Sequence, residues 1–144
     1  MADDGEDFLN IIVTMLIDDK LLDGIRVLAK GSPRLRMNYD LRNSEADGSQ
    51  RMLNALEMGT VIPIHRHHDT SETQILLRGV IDVLIYDDEG REVKRIRLDH
   101  KKGAYGVQVG KNEWHSLEVI EPAVIFEAKD GRYNPNADKD FLKK

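Results

Sequence analysis

Residues 59–79 read GTVIPIHRHHDTSETQILLRG, and this stretch places three of the five histidines of the chain within four positions. In a β-strand, side chains two residues apart lie on the same face. His65 and His67 can therefore direct their imidazoles to one point, while Arg66 faces away. Glu72 follows after a short polar loop, where the chain can re-enter a sheet. The stretch thus predicts a strand that carries a cluster of nitrogen and oxygen ligands.

A further histidine lies far from this stretch in the sequence. His115 falls on a predicted strand whose apolar residues Leu117 and Val119 point inward, so its side chain is expected to point inward too. Three imidazoles and one carboxylate on an interior wall suit one divalent transition metal ion. These ligand types do not decide whether the metal is iron, manganese, nickel, copper or zinc. His68 would face the opposite way and is interpreted as a loop residue, and His100 as an ordinary core or surface side chain.

Apolar and polar residues alternate with period two over most of the chain from Pro33 onward. This alternation predicts many short β-strands, and the turns between them contain Gly and Asp. The sequence DDEG at 87–90, between two predicted strands, is a strong hairpin signal. Such a pattern is typical of an antiparallel sandwich or barrel, so we expect an all-β fold. The predicted strands beyond residue 50 are 52–56, 61–67, 75–77, 80–86, 92–98, 105–109, 115–119 and 124–128.

The first 30 residues follow a different pattern. Residues 11–17 form a β-branched apolar run of strand length, and Asp18 or Asp19 then stands where a helix N-cap is expected. Apolar residues between 21 and 28 have the spacing of an amphipathic helix. A chain of 144 residues fits one domain. We expect an N-terminal extension with a candidate edge strand at 1–16, one all-β domain with a short N-terminal helix at 17–135, and a charged tail at 136–144.

Composition argues against several classes of function. The chain has 21 Lys and Arg against 26 Asp and Glu, a net charge of −5, whereas nucleic-acid binders need a basic surface. It contains no cysteine, which excludes disulfides, thiolate metal sites and cysteine nucleophiles. The apolar stretch at 8–17 is too short to span a bilayer, and acidic rather than basic residues precede it. We expect a soluble, cytoplasmic protein that binds neither nucleic acid nor membranes.

The spacing within residues 59–79 resembles the first signature motif of the cupin superfamily. The chain matches that motif at each of its fixed positions, which are Gly59, His65, His67, Glu72 and Gly79. The resemblance implies a cupin double-stranded β-helix, which is a jelly-roll barrel, with the metal inside it. The metal ligands that it implies are His65, His67, Glu72 and His115.

The second cupin motif is matched only in part, by GKNEWH at 110–115. This segment has the turn-then-histidine spacing, but Gly110 and Asn112 replace the expected Pro and Gly. Val119 stands where the motif ends in Asn. Because His115 itself is in register, the resemblance retains the metal ligand while the turn departs from the pattern.

Four further blocks resemble the WbuC-type cupin fold metalloproteins. They are SPRLRMN at 32–38, QRMLNAL at 50–56, PIHRH at 63–67 and FEAKDGRYNP at 126–135. That family is defined by its fold and metal motif more than by known chemistry. Some of its members are associated with polysaccharide gene clusters, so the resemblance implies a sugar-related ligand without naming a reaction.

Candidate substrate-binding residues follow from strand parity. Arg36 and Asn38 share a strand face, and Arg51 opens the next strand. If that face lies at the barrel mouth, the three side chains suit a carboxylate, a phosphate or sugar hydroxyls. The alternative is a solvated outer face, with the apolar residues between them in the core. Glu127 and Lys129 also share a face, and they fit either an exposed pair or a contact behind the metal site.

These residues support three hypotheses about function. The first is a metal-dependent enzyme acting on a small polar molecule such as a carbohydrate derivative, because four protein ligands leave two positions of a six-coordinate metal open. The second is a non-catalytic module that binds or senses such a molecule through the same metal. The third is a purely structural metal site. Since exposed edge strands invite pairing, the run at 11–17 also predicts a homodimer.

Overall fold

The computed structural model describes residues 14–134 and 140–142 of the chain. Within these ranges it contains one α-helix, α1 (Asp19–Lys30), and one short 3-10 helix (His100–Lys102). The strands are β1 (Arg36–Asp40), β2 (Ser49–Leu56), β3 (His65–Arg66), β4 (Glu72–Tyr86), β5 (Glu92–Asp99), β6 (Gly106–Val109), β7 (Trp114–Asp130) and β8 (Asp140–Phe141). The predicted all-β fold with one N-terminal helix is confirmed.

Helix α1 forms where the capping residue and the apolar spacing predict it. The Asp18 carboxylate accepts a hydrogen bond from the backbone N–H of Leu21 at 3.1 Å, which satisfies a donor that the first helical turn leaves unpaired. The helix then buries Leu22, Ile25 and Ala29, which repeat at the three- and four-residue spacing of one helical face. The opposite face remains in contact with solvent.

The sheet is built around β4 and β7, which pair antiparallel along most of their length. On one side β7 pairs with β2, which carries β1, and on the other side β4 pairs with β5 and with β6. The strand β3 lies between β7 and β8. Buried apolar residues from β2, β4, β5, β6 and β7 meet in one cluster, so the curled sheet encloses a common core.

Strands β4 and β7 are each continuous, whereas the alternation predicts two shorter strands in each region. The pairing of β4 with β7 shifts register three times between Leu76 and Ile81, so the sheet bends without ending. Gly79 lies inside this bend with φ +85°, a backbone conformation that favours glycine. A Cβ at this position would collide with the carbonyl group of Pro122, so there is no room for a side chain.

A second apolar cluster lies between α1 and the sheet. The helix packs on Leu53, Ala55 and Val124, and on the β1 residues Met37 and Tyr39. Strand β1 therefore has two different faces, since its odd-numbered residues contact the helix side and its even-numbered residues lie on the other side.

Some predicted segments differ from the structure or fall outside it. The predicted strand at 61–67 is reduced to β3. Residues 11–13 of the candidate edge strand lie outside the described residues, and residues 14–17 are not in a strand. In the charged tail, β8 pairs with β3, a contact that local sequence did not predict. No helix in the described part of the chain is long and apolar enough to cross a membrane.

A buried carboxylate ties β4 to β5 and gives a first prediction. Asp82 is 1% exposed and accepts hydrogen bonds from Arg97 Nε at 2.7 Å and Arg95 Nη1 at 3.0 Å. The Arg97 hydrogen bond lowers the pKa of the Asp82 carboxyl, burial opposes this, and Arg95 lowers it further. We expect Asp82→Asn to reduce the free energy of unfolding at pH 7 by about 1–2 kcal/mol, because both arginines are partly exposed and their charges partly screened.

The pH dependence follows from the sign of that shift. A carboxyl whose pKa is lower in the folded state stabilises the fold above its unfolded pKa, about 4, and loses that contribution as the pH falls below it. The difference between wild type and Asp82→Asn in urea unfolding should therefore be full at pH 7 and smaller at pH 3. Glu118→Gln, an exposed carboxylate beside the same Arg95, is the matched control. A difference that is independent of pH would contradict the assignment.

Candidate metal centre

Three histidines predicted as metal ligands meet in the structure. His65 on β3 pairs directly across from His115 on β7, and His67 follows one residue after β3 ends. One ring nitrogen from each histidine lies within 4.8 Å of the others. The three side chains are 8%, 3% and 2% exposed for His65, His67 and His115, respectively. Strand pairing thus brings together residues that are 50 positions apart in the sequence.

Backbone carbonyls orient two of these rings. His65 Nδ1 lies 2.8 Å from the carbonyl oxygen of Pro63, and His115 Nδ1 lies 2.9 Å from that of Glu113. A carbonyl only accepts hydrogen bonds, so each Nδ1 carries the proton and donates it. In a neutral imidazole the other nitrogen, Nε2, then offers its lone pair, which is the arrangement that metal-binding histidines use.

The predicted fourth ligand, Glu72, lies against the same cluster. It is the first residue of β4 and is 6% exposed, with Oε1 3.1 Å from His67 Nε2 and Oε2 3.9 Å from His115 Nε2. Gln74 Nε2 donates a hydrogen bond to Oε2 at 2.5 Å. Burial raises the pKa of the Glu72 carboxyl. The hydrogen bond with His67, the charge of His115 and the hydrogen bond from Gln74 together outweigh this effect and lower the pKa to about 2. The group is therefore a carboxylate at neutral pH.

His67 has a different neighbour from the other two histidines. Lys129 Nζ lies 3.5 Å from His67 Nδ1, and an ammonium group can only donate to that nitrogen. The Nε2 of a neutral His67 ring then carries the proton, so a metal at Nε2 would require that proton to move to Nδ1 and the Lys129 contact to be given up. The sequence left Lys129 and Glu127 undecided between surface and site. The structure places both on the cavity side of β7.

A cavity of about 550 Å³ opens in front of the histidines and Glu72. Arg36 and Asn38 line it. Arg51, the third of these candidates, does not line the cavity. Gln50, Met52 and Asn54 are the β2 side chains that line the cavity, and Arg51 therefore points to the opposite face of the strand.

Arg51 has a different set of contacts on that opposite face. Its Nη2 lies 3.2 Å from Asp47 Oδ2 and 3.3 Å from the carbonyl oxygen of Leu41, so it holds the loop between β1 and β2. His68 is exposed and contacts Asn112, as expected for a loop residue. Neither side chain lines the cavity.

Several residues of the cavity wall were missed from the sequence. They are Arg34, Gln50, Asn54, Gln74 and Phe141. Period-two alternation in β2 and β4 could have indicated the buried polar residues, because Gln50, Asn54 and Gln74 fall on the inward positions and are under 9% exposed. Phe141 reaches the wall through the pairing of β8 with β3, for which no local signal exists.

The donor set fits a divalent transition metal. Two histidines present Nε2 by fixed backbone hydrogen bonds, a third lies beside them, and one carboxylate contacts the cluster. Imidazole nitrogens with a single carboxylate oxygen are typical ligands for first-row metals. Because the cluster faces a cavity rather than closed packing, a small molecule could reach an ion held there.

Solved structures with the same fold are cupins. CapF from Staphylococcus aureus, a capsular polysaccharide assembling protein, aligns with a TM-score of 0.61 at 18% identity over 76% of this chain and 32% of its own. Oxalate decarboxylase from Bacillus subtilis, described with Mn(II) centres, gives 0.56 at 19% identity over 74% and 27%. A cupin 2 domain-containing protein from Halorhodospira halophila gives 0.55 at 16% identity over 76% and 69%.

These likenesses confirm the predicted cupin fold. The chain spans only about a third of the length of CapF and about a quarter of that of oxalate decarboxylase. No curated protein matches the sequence. A family model described as a domain of unknown function, DUF6016, matches residues 17–98. Since this match covers more than half of the chain, the protein belongs to the DUF6016 family.

Proposed function

We propose that the protein binds one divalent transition metal ion through His65, His67, Glu72 and His115, and acts on a small polar molecule in the cavity in front of it. The observation that carries this proposal is the convergence of three buried imidazoles and a carboxylate at the wall of an open cavity. A purely structural ion would be enclosed by its ligands, whereas this site borders about 550 Å³ of accessible space.

The chain contributes orientation and charge to this chemistry. A bound metal of this class supplies Lewis-acid or redox chemistry. The carbonyls of residues 63 and 113 hold two imidazoles in one tautomer, and Gln74 holds the Glu72 carboxylate in place. Lys129 brings a positive charge to the cavity beside His67, where it can attract an electron-rich group of a ligand.

A carbohydrate-derived ligand is the substrate class that we propose. The sequence blocks resemble the WbuC-type cupin metalloproteins, some of which belong to polysaccharide gene clusters, and we propose membership of that type. The likeness in fold to CapF, a capsular polysaccharide assembling protein, supports the same class of ligand. The cavity wall adds amide and guanidinium donors suited to sugar oxygens, at Asn38, Asn54 and Arg36.

A second candidate function is a non-catalytic metal-dependent binding module. One observation favours it: the buried histidines and Glu72 border an open cavity, which is enough to hold a ligand at a metal ion without a further catalytic group. Turnover of any sugar derivative by the metal-loaded protein would reject this candidate.

Elemental analysis of tag-free protein, purified without chelators, tests metal binding directly. We expect about one equivalent of a single transition metal per chain. The same sample is then incubated with a panel of nucleotide-activated and free sugars, and products are followed by mass spectrometry. Absence of metal at purification and after reconstitution with Mn, Fe, Ni, Cu or Zn would contradict the proposal.

Replacing the carboxylate gives a graded prediction. Glu72→Gln keeps the shape of the side chain but removes a negative charge next to two imidazoles. We expect the affinity for the metal to fall by roughly 10- to 100-fold, because the amide is a poor ligand and the positive charge of the ion is less compensated. Competition with a fluorescent chelator measures this change. An unchanged affinity would show that Glu72 is not a ligand.

We also propose that residues 17–135 form the cupin domain of a cytoplasmic homodimer. Five apolar side chains in or next to α1 are more than 40% exposed, which favours a contact surface on that side. They are Met15, Leu16, Ile17, Val27 and Leu28. Light scattering coupled to size exclusion should give twice the chain mass of 16.4 kDa. A monomer at micromolar concentration would contradict this proposal.

A further inference from the structure

Two arginines at the cavity carry charges that no carboxylate of the described residues balances. Arg34 and Arg36 both line the cavity, and neither takes part in an ion pair within residues 14–134 and 140–142. Burial lowers the pKa of the Arg36 guanidinium, and the nearby charge of Arg34 lowers it further. Arg36 is partly buried and Arg34 is exposed, so the two like charges repel each other where one of them has lost part of its solvent.

The remaining arginine of this wall shows the contrast. Arg42 also lines the cavity, but its guanidinium forms a two-pronged salt bridge with Asp40, with Nη2 2.8 Å from Oδ2 and Nε 3.0 Å from Oδ1. Its charge is therefore already compensated within the protein. In a chain with a net charge of −5, carboxylates are plentiful, yet among the described residues none forms an ion pair with Arg34 or Arg36.

Arg36 is held in place by neutral acceptors. Its Nη1 donates to the carbonyl oxygen of Val61 at 2.9 Å and lies 3.3 Å from Thr60 Oγ1. Thr60 in turn donates its hydroxyl to the carbonyl oxygen of Arg34 at 2.7 Å. These contacts fix one nitrogen of the guanidinium and leave its charge uncompensated. A guanidinium fixed in this way is organised in advance to bind a planar or tetrahedral oxyanion.

We infer that Arg34 and Arg36 form a subsite for an oxyanion at the mouth of the cavity, so that the ligand of the metal site carries a carboxylate or a phosphate. This inference rests on the proposed function, because it places the anionic group of the ligand on β1 and its polar body toward the histidines. It excludes neutral sugars as the preferred ligand.

Two small anions serve as probes for this subsite, inorganic phosphate and acetate. Binding is followed by NMR of the 15N-labelled protein at fixed ionic strength, and the metal content of each sample is measured separately. We expect at least one probe to bind with a dissociation constant in the range of about 1–20 mM, typical of a single ion at two guanidinium groups. Tighter binding of phosphate indicates a phosphorylated ligand, and tighter binding of acetate indicates a carboxylate.

Substitutions separate this subsite from the metal and from general charge. Arg36→Gln should weaken binding at least tenfold, and Arg34→Gln, an exposed side chain whose loss spares the fold, at least threefold. Arg42→Gln removes the same charge from the same wall but should change binding by less than twofold. Equal binding by wild type and the two subsite variants would overturn the inference, as would an equal loss in Arg42→Gln or no binding by wild type. The two anions bind to the arginines and do not require the metal. If the protein proves to contain no metal, the proposed function is contradicted, but the anion-binding measurement still tests the subsite.

Discussion

The substitution His67→Ala is expected to reduce the metal content of the purified protein from about one equivalent to below about a tenth. His67 is 3% exposed, its Nε2 lies 3.1 Å from Glu72, and it shares the cluster with the other two histidines. Alanine removes one nitrogen ligand and leaves the Glu72 carboxylate without its neighbour. The remaining imidazoles then hold an ion only weakly, because affinity depends steeply on the number of ligands. Elemental analysis of wild type and variant from the same purification measures the loss.

The neighbouring histidine provides the matched control. His68→Ala removes an imidazole from the adjacent position, but that side chain is exposed and contacts Asn112 rather than the cluster. We expect its metal content to equal that of wild type. If both variants lose the metal equally, or neither does, the ion is not held where the structure places the three imidazoles. Circular dichroism of both variants checks that the sheet is retained.

Gly79→Ala is expected to destabilise the fold by about 3 kcal/mol or more. Gly79 has φ +85°, which costs a non-glycine residue energy, and a Cβ added there would collide with the Pro122 carbonyl and the Ala123 backbone. Both obstacles belong to the backbone of β7, so neither can move without breaking the pairing of β4 with β7. Urea unfolding, or soluble yield where the variant does not fold, measures the effect.

Gly103→Ala separates the two causes. Gly103 also has a positive φ, +70°, but nothing lies within 4 Å of the position that its Cβ would occupy. We expect this substitution to cost only about 1 kcal/mol, the backbone contribution alone. Equal costs at positions 79 and 103 would show that close packing against Pro122 is unimportant.

The cupin motif and the alternation were sufficient to predict the fold class and the convergence of the histidines. Both depend on local rules, since side-chain parity along a strand and a fixed motif spacing are present in the sequence itself. The same rules left Arg36 and Asn38 open between the cavity and a solvated outer face, and in the structure both line the cavity. They do not place Arg51, because parity within one strand says nothing about how two strands pair.

The register of β1 with β2 shows what was missing. Arg36 pairs with Leu56 and Asn38 pairs with Asn54, so even-numbered residues of the two strands share the cavity side. Gln50 pairs with Lys129 and Met52 pairs with Glu127, and all four line the cavity, so Arg51 between them belongs to the other side of β2. The pairing of β8 with β3 is also a long-range contact, and it depends on backbone hydrogen bonds that any residue types could form.

The carbonyl oxygens that orient His65 and His115 make the site tolerant of mutation at its supporting positions. Residues 63 and 113 act through their backbone, so any amino acid that keeps the local path preserves the tautomer of both rings. Lys129, in contrast, acts on His67 through its side chain and can be changed by a single substitution. Homologous chains could therefore diverge freely at two of the three supports, while the properties of the site are tuned at the third.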